Sequence, residues 1–327
     1  MQYRQMGSIG QVSRLTLGGG GIGQVWGPTT EEEGIVTLKL AIDEGINVID
    51  SAPGYHLCEP LIGKAFGGKL PEGVRVTTKF GIAQTPPEQI YEKCSASLLA
   101  SLEAMKLERV DVFFLHNEIR PDDDIAPQGH DHYTPWSVYR DYVIPAFQRL
   151  VSDGLIGAWG LTGVSRARCI LDAVQTSPQP DVIQAVANLL DSPGGLCVDL
   201  EPPRHREIIS TAKANGTGVM GIRAVQAGAL TLGFDREVPG DSHDMRDFER
   251  ANAFRALCAD WGEDPSLIAH RYALGMDGVD TLVLGIKNRA ELLMALESES
   301  LGPLDPEQVE AIDGLKLNRW HPRVLAS

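Results

Sequence analysis

Eight short apolar runs rich in β-branched residues recur along this chain, and helical patterns separate them. The runs are LTLG (15–18), INVID (46–50), VRVTTKF (74–80), VDVFFLH (110–116), IGAWGLT (156–162), DVIQAVAN (181–188), TGVMGIR (217–223) and TLVLGI (281–286). They are continuously apolar rather than alternating, as strands buried on both faces of a parallel sheet are. Helical patterns fill the gaps, for example PEQIYEKCSASLLASLEAM (87–105), SVYRDYVIPAFQRLVSDG (137–154) and DPSLIAHRYALGM (264–276). Eight strand-helix units over about 300 residues predict an α/β fold of the (β/α)8 TIM-barrel type, since a doubly wound sheet usually has fewer strands. No low-complexity linker or shift in composition interrupts the pattern, so one barrel domain over 1–327 is expected.

Three segments stand outside the repeat. Residues 1–14, with Gly7 and Gly10 as turn points, predict an N-terminal hairpin. The polar stretches EIRPDDDIAPQGHDHYTPW (118–136) and GFDREVPGDSHDMRDFE (233–249) read as long loops at the C-terminal face.

Composition excludes several functions. The apolar fraction is 43%, but no run reaches the roughly 18 residues a membrane span needs. Twenty-nine basic against 44 acidic side chains give a formal net charge of -15, which disfavours nucleic acid and anionic membranes as partners. The N-terminus has neither a secretory nor a transit pattern, so a cytoplasmic setting is expected. Five scattered cysteines without a CxxC pair read as reduced thiols. His130, Asp131 and His132 lie close enough in sequence to suggest a metal site, yet polar loops collect such residues by chance, and no metal is expected. Nothing in the sequence specifies an oligomeric state.

In a barrel of this kind, polar residues at the C-terminal strand ends face the active site, while strand interiors fill the core. Asp50 closes the second run, Lys79 lies near the end of the third, and His116 closes the fourth. Their separations of 29 and 37 residues are each about one strand-helix unit, so neighbouring strands aim them at one mouth. Tyr55 follows Asp50 directly across a Pro53-Gly54 turn. Singly, each is an ordinary capped strand end. Together they form a proton-transfer set: a carboxylate can keep a lysine charged, and the ammonium can lower a tyrosine from its ordinary pKa of about 10. A tyrosine so tuned exchanges a proton with a carbonyl oxygen or an alcohol near neutral pH.

At these residues the chain resembles the aldo-keto reductase superfamily, whose Asp, Tyr, Lys and His tetrad lies on such a barrel. The matching pieces are VIDSAPGYH (48–56), VTTKFG (76–81), FFLHN (113–117), GLTG (160–163), QAVANLL (184–190) and VLGIKN (283–288), spread over essentially the whole chain. The resemblance implies reversible reduction of an aldehyde, ketone or sugar carbonyl to an alcohol, with NADPH as cofactor and NADH as the second possibility. Tyr55 would be the general acid, Lys79 and Asp50 would tune it, and His116 would orient the carbonyl. Tyr55, His116 and Trp26 would touch the substrate, with Tyr133, Trp136 and Trp320 as further wall candidates or plain packing.

The resemblance also assigns a cofactor groove. Gly20, Gly21 and Asp50 would lie beside it, with Thr162 and Gln184 holding the carboxamide. Ile222 occupies the place of a stacking aromatic residue. Arg223 would meet a phosphate or an acidic substrate, or else form a surface ion pair. Ala227, Gly228 and Leu230 would carry the pyrophosphate. Gly285, Lys287, Asn288 and Arg289 follow the last strand, where the adenosine 2′-phosphate is recognised; Asn288 also reads as a plain helix N-cap. Glu291 stands where a glutamine often meets adenine. Departures occur at Gly163, Ile222, His56 and Cys58. Two other functions fit the same residues: a Schiff-base aldolase using Lys79, and a nucleotide-sensing regulatory subunit with little turnover.

Overall fold

The computed structural model describes residues 1–124, 133–196 and 202–319. Its strands are β1 (Tyr3–Met6), β2 (Gly10–Ser13), β3 (Leu15–Gly18), β4 (Val48–Asp50), β5 (Arg75–Phe80), β6 (Val110–Leu115), β7 (Glu118–Arg120), β8 (Tyr133–Pro135), β9 (Ile156–Thr162), β10 (Val182–Val186), β11 (Gly218–Ile222) and β12 (Thr281–Leu284). Eight of them close into a parallel barrel in the order β3-β4-β5-β6-β9-β10-β11-β12, and β12 pairs back onto β3. All eight expected runs are barrel strands.

The helices that lie between the strands include α1 (Gly19–Ile22), α2 (Glu31–Asp43), α3 (Cys58–Phe66), α4 (Ile90–Met105), α5 (Trp136–Val138), α6 (Ile144–Ser152), α7 (Ala167–Gln175) and α8 (His205–Ala214). After β11 come α9 (His243–Arg250), α10 (Asn252–Trp261) and α11 (Pro265–Gly275); α12 (Arg289–Ser300) and α13 (Pro306–Gly314) follow β12. The barrel wall packs on this shell through fully buried side chains such as Leu38, Leu61, Leu98, Phe147, Ile170, Ile209, Ile268 and Leu292. Each such side chain contributes about 1.5–3 kcal/mol through burial. Phe113 on β6 lies 5.1 Å from Phe147 on α6, whose ring meets Trp159 on β9 at 6.3 Å.

The expected hairpin is β1 paired antiparallel with β2, with Met6 opposite Gly10. It covers the N-terminal end of the barrel. Met6 is buried against Gly218, where an added Cβ would sit 2.5 Å from Met6 Cγ. Ser8 donates to Asp181 at 2.9 Å, and Arg75 donates to the Gln11 carbonyl at 3.0 Å. With that end closed, the C-terminal mouth is where a small molecule would meet the strand ends.

Both polar stretches expected as loops contain regular structure. In 118–136, β7 and β8 form a separate parallel pair; residues 125–132, with the His130 and His132 pair, lie outside the described residues. In 233–249 the chain folds into α9, because Ser242 caps it by accepting from Met245 N. The pattern at 137–154 is also interrupted by a π-helical turn at Tyr139–Val143.

Candidate active site

The second and third barrel strands bring an ion pair to the mouth. Asp50 is the last residue of β4 and pairs in register with Thr77 of β5, so Lys79, two residues further along β5, lies on the same face as Thr77. Lys79 Nζ donates to Asp50 Oδ2 at 2.6 Å and to the Ser51 carbonyl at 2.8 Å. The other carboxylate oxygen accepts from Thr77 Oγ1 at 2.6 Å and from Gln184 Nε2 at 2.7 Å. Lys79 is 1% exposed and Asp50 2%. Such a pair stands only when its hydrogen bonds are satisfied, as they are here.

Tyr55 sits above this pair. Its amide closes a turn onto the Ala52 carbonyl, and its own carbonyl accepts from Cys58 N at the start of α3, both at 2.9 Å. Lys79 Nζ lies 4.6 Å from the centre of the Tyr55 ring, and His116 meets that ring edge-on at 6.0 Å. The four residues expected at one mouth are therefore together. His56, directly after Tyr55, holds φ at 44°, a left-handed conformation that few residues other than glycine adopt. Glu59 accepts from Thr78 Oγ1 at 2.6 Å on the neighbouring strand, and burial pushes the Cys58 thiol up to about 12, so it is an inert packing group.

Burial disfavours the Lys79 ammonium, but Asp50 and Tyr55 outweigh it, and Lys79 holds its proton more tightly than an ordinary lysine. Burial also pushes the Tyr55 phenol above its usual range; the Lys79 ammonium pulls it down by less, and Asp50 pushes it up again. The expected net lowering of Tyr55 is thus reversed, because burial and then the neighbouring carboxylate disfavour the phenolate by more than the ammonium returns.

The groove residues fall into two groups. Thr162 ends β9 beside Gln184 of β10, and its buried Oγ1 has no hydrogen-bond partner among the described residues, the state of a group awaiting a polar ligand. Gly20 and Gly21 lie in α1, which packs so closely on the loop after β12 that a Cβ on Gly21 would stand 1.8 Å from the Ile286 carbonyl oxygen; only glycine permits that approach. The Trp26 indole packs beside Gly20 and Gly285, with the Arg236 guanidinium 5.5 Å from its ring. Ile222 ends β11 and packs with Val164 and Val186. Ala227, Gly228 and the buried Leu230 follow in the loop after that strand.

The basic cluster after β12 is already paired. Lys287 Nζ contacts Asp235 and lies 3.6 Å from Glu291, while Arg289 binds Glu33 at 2.9 Å. Asn288 is the N-cap of α12, accepting from Glu291 N at 3.0 Å, and Glu291 Oε2 accepts from Lys287 N at 2.8 Å. Arg223 pairs with Asp244 at 3.0 Å, in a half-buried rather than a surface setting. Trp136 and Tyr139 meet at 5.5 Å with their rings tilted by 46°, Tyr133 lies 5.6 Å from the Arg120 guanidinium, and Trp320 is outside the described residues. The reading of the sequence missed Thr77, although period-two spacing from Lys79 marks it, and it missed Asp235 and Asp244, which no local pattern ties to their cations.

A closed parallel barrel with titratable groups gathered at its C-terminal mouth is the plan of a barrel enzyme. A model of the Aldo/keto reductase family matches residues 14–316. The chain belongs to that family and is an oxidoreductase of carbonyl or alcohol groups. It is 25% identical to L-galactose dehydrogenase of Arabidopsis thaliana over 96% of this chain and 94% of that one. It is 28% identical to the NADH-specific methylglyoxal reductase of Escherichia coli (strain K12), over 94% and 91%. The fold is shared with a glycerol dehydrogenase from Gluconobacter oxydans, at a TM-score of 0.71 and 22% identity over 99% and 98%. It is also shared with an aldo-keto reductase from Bacillus halodurans in its holo form, at 0.70 and 20% over 96% of each chain.

Proposed function

We propose that the chain reduces an aldehyde, ketone or sugar carbonyl reversibly, with Tyr55 as the general acid. The observation that carries this reading is Lys79, buried against Asp50 and poised under the Tyr55 ring. Thr162, Gln184 and the loops after β11 and β12 would hold a nicotinamide cofactor, which would supply the hydride. Asp50 keeps Lys79 charged and fixed; Lys79 steadies negative charge as it develops on the phenol oxygen; His116, edge-on to Tyr55, orients the carbonyl oxygen. We place the reaction in the cytosol, which the net charge of -15 and the free buried cysteines Cys58, Cys94, Cys169 and Cys258 fit. The named relatives act on L-galactose, methylglyoxal and glycerol, so sugars, short oxoaldehydes and polyols form the first substrate panel.

The pH profile tests the acid. Because the folded phenol titrates above its ordinary value, the donor form survives until pH climbs past about 10. Reduction should hold a level kcat between about pH 6 and 9, and alcohol oxidation, which needs the phenolate, should climb over the alkaline range. A reduction rate that already falls between about pH 7 and 8 contradicts Tyr55 as a raised-pKa donor.

NADPH is the first cofactor to test and NADH the second, on the strength of Lys287 and Asn288. Asp235 competes with a 2′-phosphate for Lys287. Asp235→Asn should therefore raise NADPH affinity relative to NADH by about fivefold, the size of roughly 1 kcal/mol. Unchanged relative affinities in fluorescence titrations would remove Lys287 from 2′-phosphate recognition.

A further inference from the structure

The turn after β11 is made of backbone that ordinary residues avoid. Arg223, Gln226 and Ala227 hold φ at 61°, 47° and 51°, and Gly228 follows at 97°. A left-handed conformation costs a residue with a side chain about 1–2 kcal/mol, so three of them within five positions persist only where their surroundings dictate it. The surroundings here are a buried polar network from two other elements. From the loop after β10, Asn188 Nδ2 donates to the Arg223 carbonyl at 3.1 Å and to Gln226 Oε1 at 3.4 Å. From α9, Asp247 Oδ2 accepts from Gln226 Nε2 and from Ser192 Oγ, both at 2.6 Å, and its Oδ1 accepts from Arg250 at 2.9 Å. Asp244 accepts from Arg223 at 3.0 Å, while Arg223 Nε donates to Gln226 Oε1 at 2.8 Å. Asn188 and Gln226 are fully buried and Asp247 nearly so.

The turn so held is also tied to itself through its own amides, with arginines beside it. Val225 is right-handed (φ -97°, ψ 12°), left-handed residues follow, and Ala229 is right-handed again (φ -63°, ψ -24°); within this winding the amides of Gln226, Gly228, Ala229 and Leu230 donate to the Arg223, Val225 and Gln226 carbonyls, which fixes the turn further. Asp244 and Asp247 do not make the place acidic, because Arg223, Arg236 and Arg250 pair with them; with Asp235, 3.9 Å from Arg236, the set is three cations to three carboxylates.

We propose that Asp247, with Asp244, is a positioning residue for the cofactor: α9 holds the 223–228 turn in the shape that receives the diphosphate of a nicotinamide dinucleotide. Arg223 is a strut of that turn. The inference rests on the cofactor reading above. It is tested on the full chain by titrating the wild type and Asp247→Ala with NADH, NADPH, ADP-ribose and adenosine 2′-monophosphate. Dissociation constants of the three diphosphate ligands should rise at least about tenfold in the variant, with adenosine 2′-monophosphate shifted less than about twofold, and in turnover the loss should fall on the cofactor KM more than on kcat. If circular dichroism shows that Asp247→Ala does not fold, Asp244→Asn takes its place, with a rise of about threefold or more expected for the same three ligands. Unaltered ADP-ribose binding in the folded variant, or an equal loss for adenosine 2′-monophosphate, overturns the positioning role. A wild type that binds none of the dinucleotides overturns the cofactor reading instead.

Discussion

Tyr55→Phe should lower kcat for carbonyl reduction by about 10²–10⁴-fold, the range a positioned general acid supplies, while the protein stays folded and binds cofactor as before. Ring and backbone contacts seat the residue besides the phenol's hydrogen bond to Lys79: Lys79 4.6 Å from the ring centre, His116 edge-on, and the two turn hydrogen bonds through Tyr55 N and O. Phenylalanine keeps the ring and backbone contacts and removes the oxygen with its hydrogen bond to Lys79. The raised pKa of the phenol adds to the expectation, because the wild-type donor is almost fully protonated at neutral pH and the variant has nothing to replace it. Cofactor consumption and cofactor titration on the same preparation check both halves. Activity within about threefold of wild type would mean that another group, with His116 the nearest imidazole, delivers the proton.

Lys79→Met should cost stability as well as rate. It leaves the Asp50 carboxylate buried with Thr77 and Gln184 as its remaining side-chain donors. Removing one partner of such a pair costs about 3–5 kcal/mol, which a denaturant titration resolves easily. Adding Asp50→Asn removes the stranded charge, so the double variant should recover most of the stability and none of the activity. That contrast separates a structural loss from a chemical one. A double variant as unstable as the single one would show that the two charges do not hold each other in place.

The barrel was legible because strands buried on both faces are written as continuous apolar runs. LTLG and IGAWGLT coincide with β3 and β9. INVID shortens to β4 because Asn47 turns its side chain and amide to Ser13 instead of extending the strand. The clustering of Asp50, Tyr55, Lys79 and His116 was legible too, since one strand-helix unit separates each strand end from the next. The Asn288 cap lay in the Asn-x-x-Glu spacing of 288–291. α9 was not legible for a physical reason: its buried residue is Asp247, so the helix has no apolar stripe for periodicity to detect and reaches the barrel through hydrogen bonds and ion pairs. Asp235 and Lys287 meet across the mouth from different loops, and no local spacing encodes such a contact. The net direction of the Tyr55 shift required knowing how dry the mouth is, which composition does not report.

Lys79 also separates the two chemistries a barrel lysine can support, as supporting ammonium or as carbonyl-attacking amine. An ammonium held by Asp50 and by the Ser51 carbonyl, with its pKa raised, is a poor nucleophile. The most direct test is to incubate the wild type with reduced nicotinamide cofactor and the aldehyde, sugar and polyol panel, quantify cofactor consumed and alcohol formed, and treat a parallel sample with borohydride. The account predicts one alcohol per cofactor oxidised and no substrate adduct on Lys79; a borohydride-trapped adduct on Lys79 without cofactor consumption would contradict it.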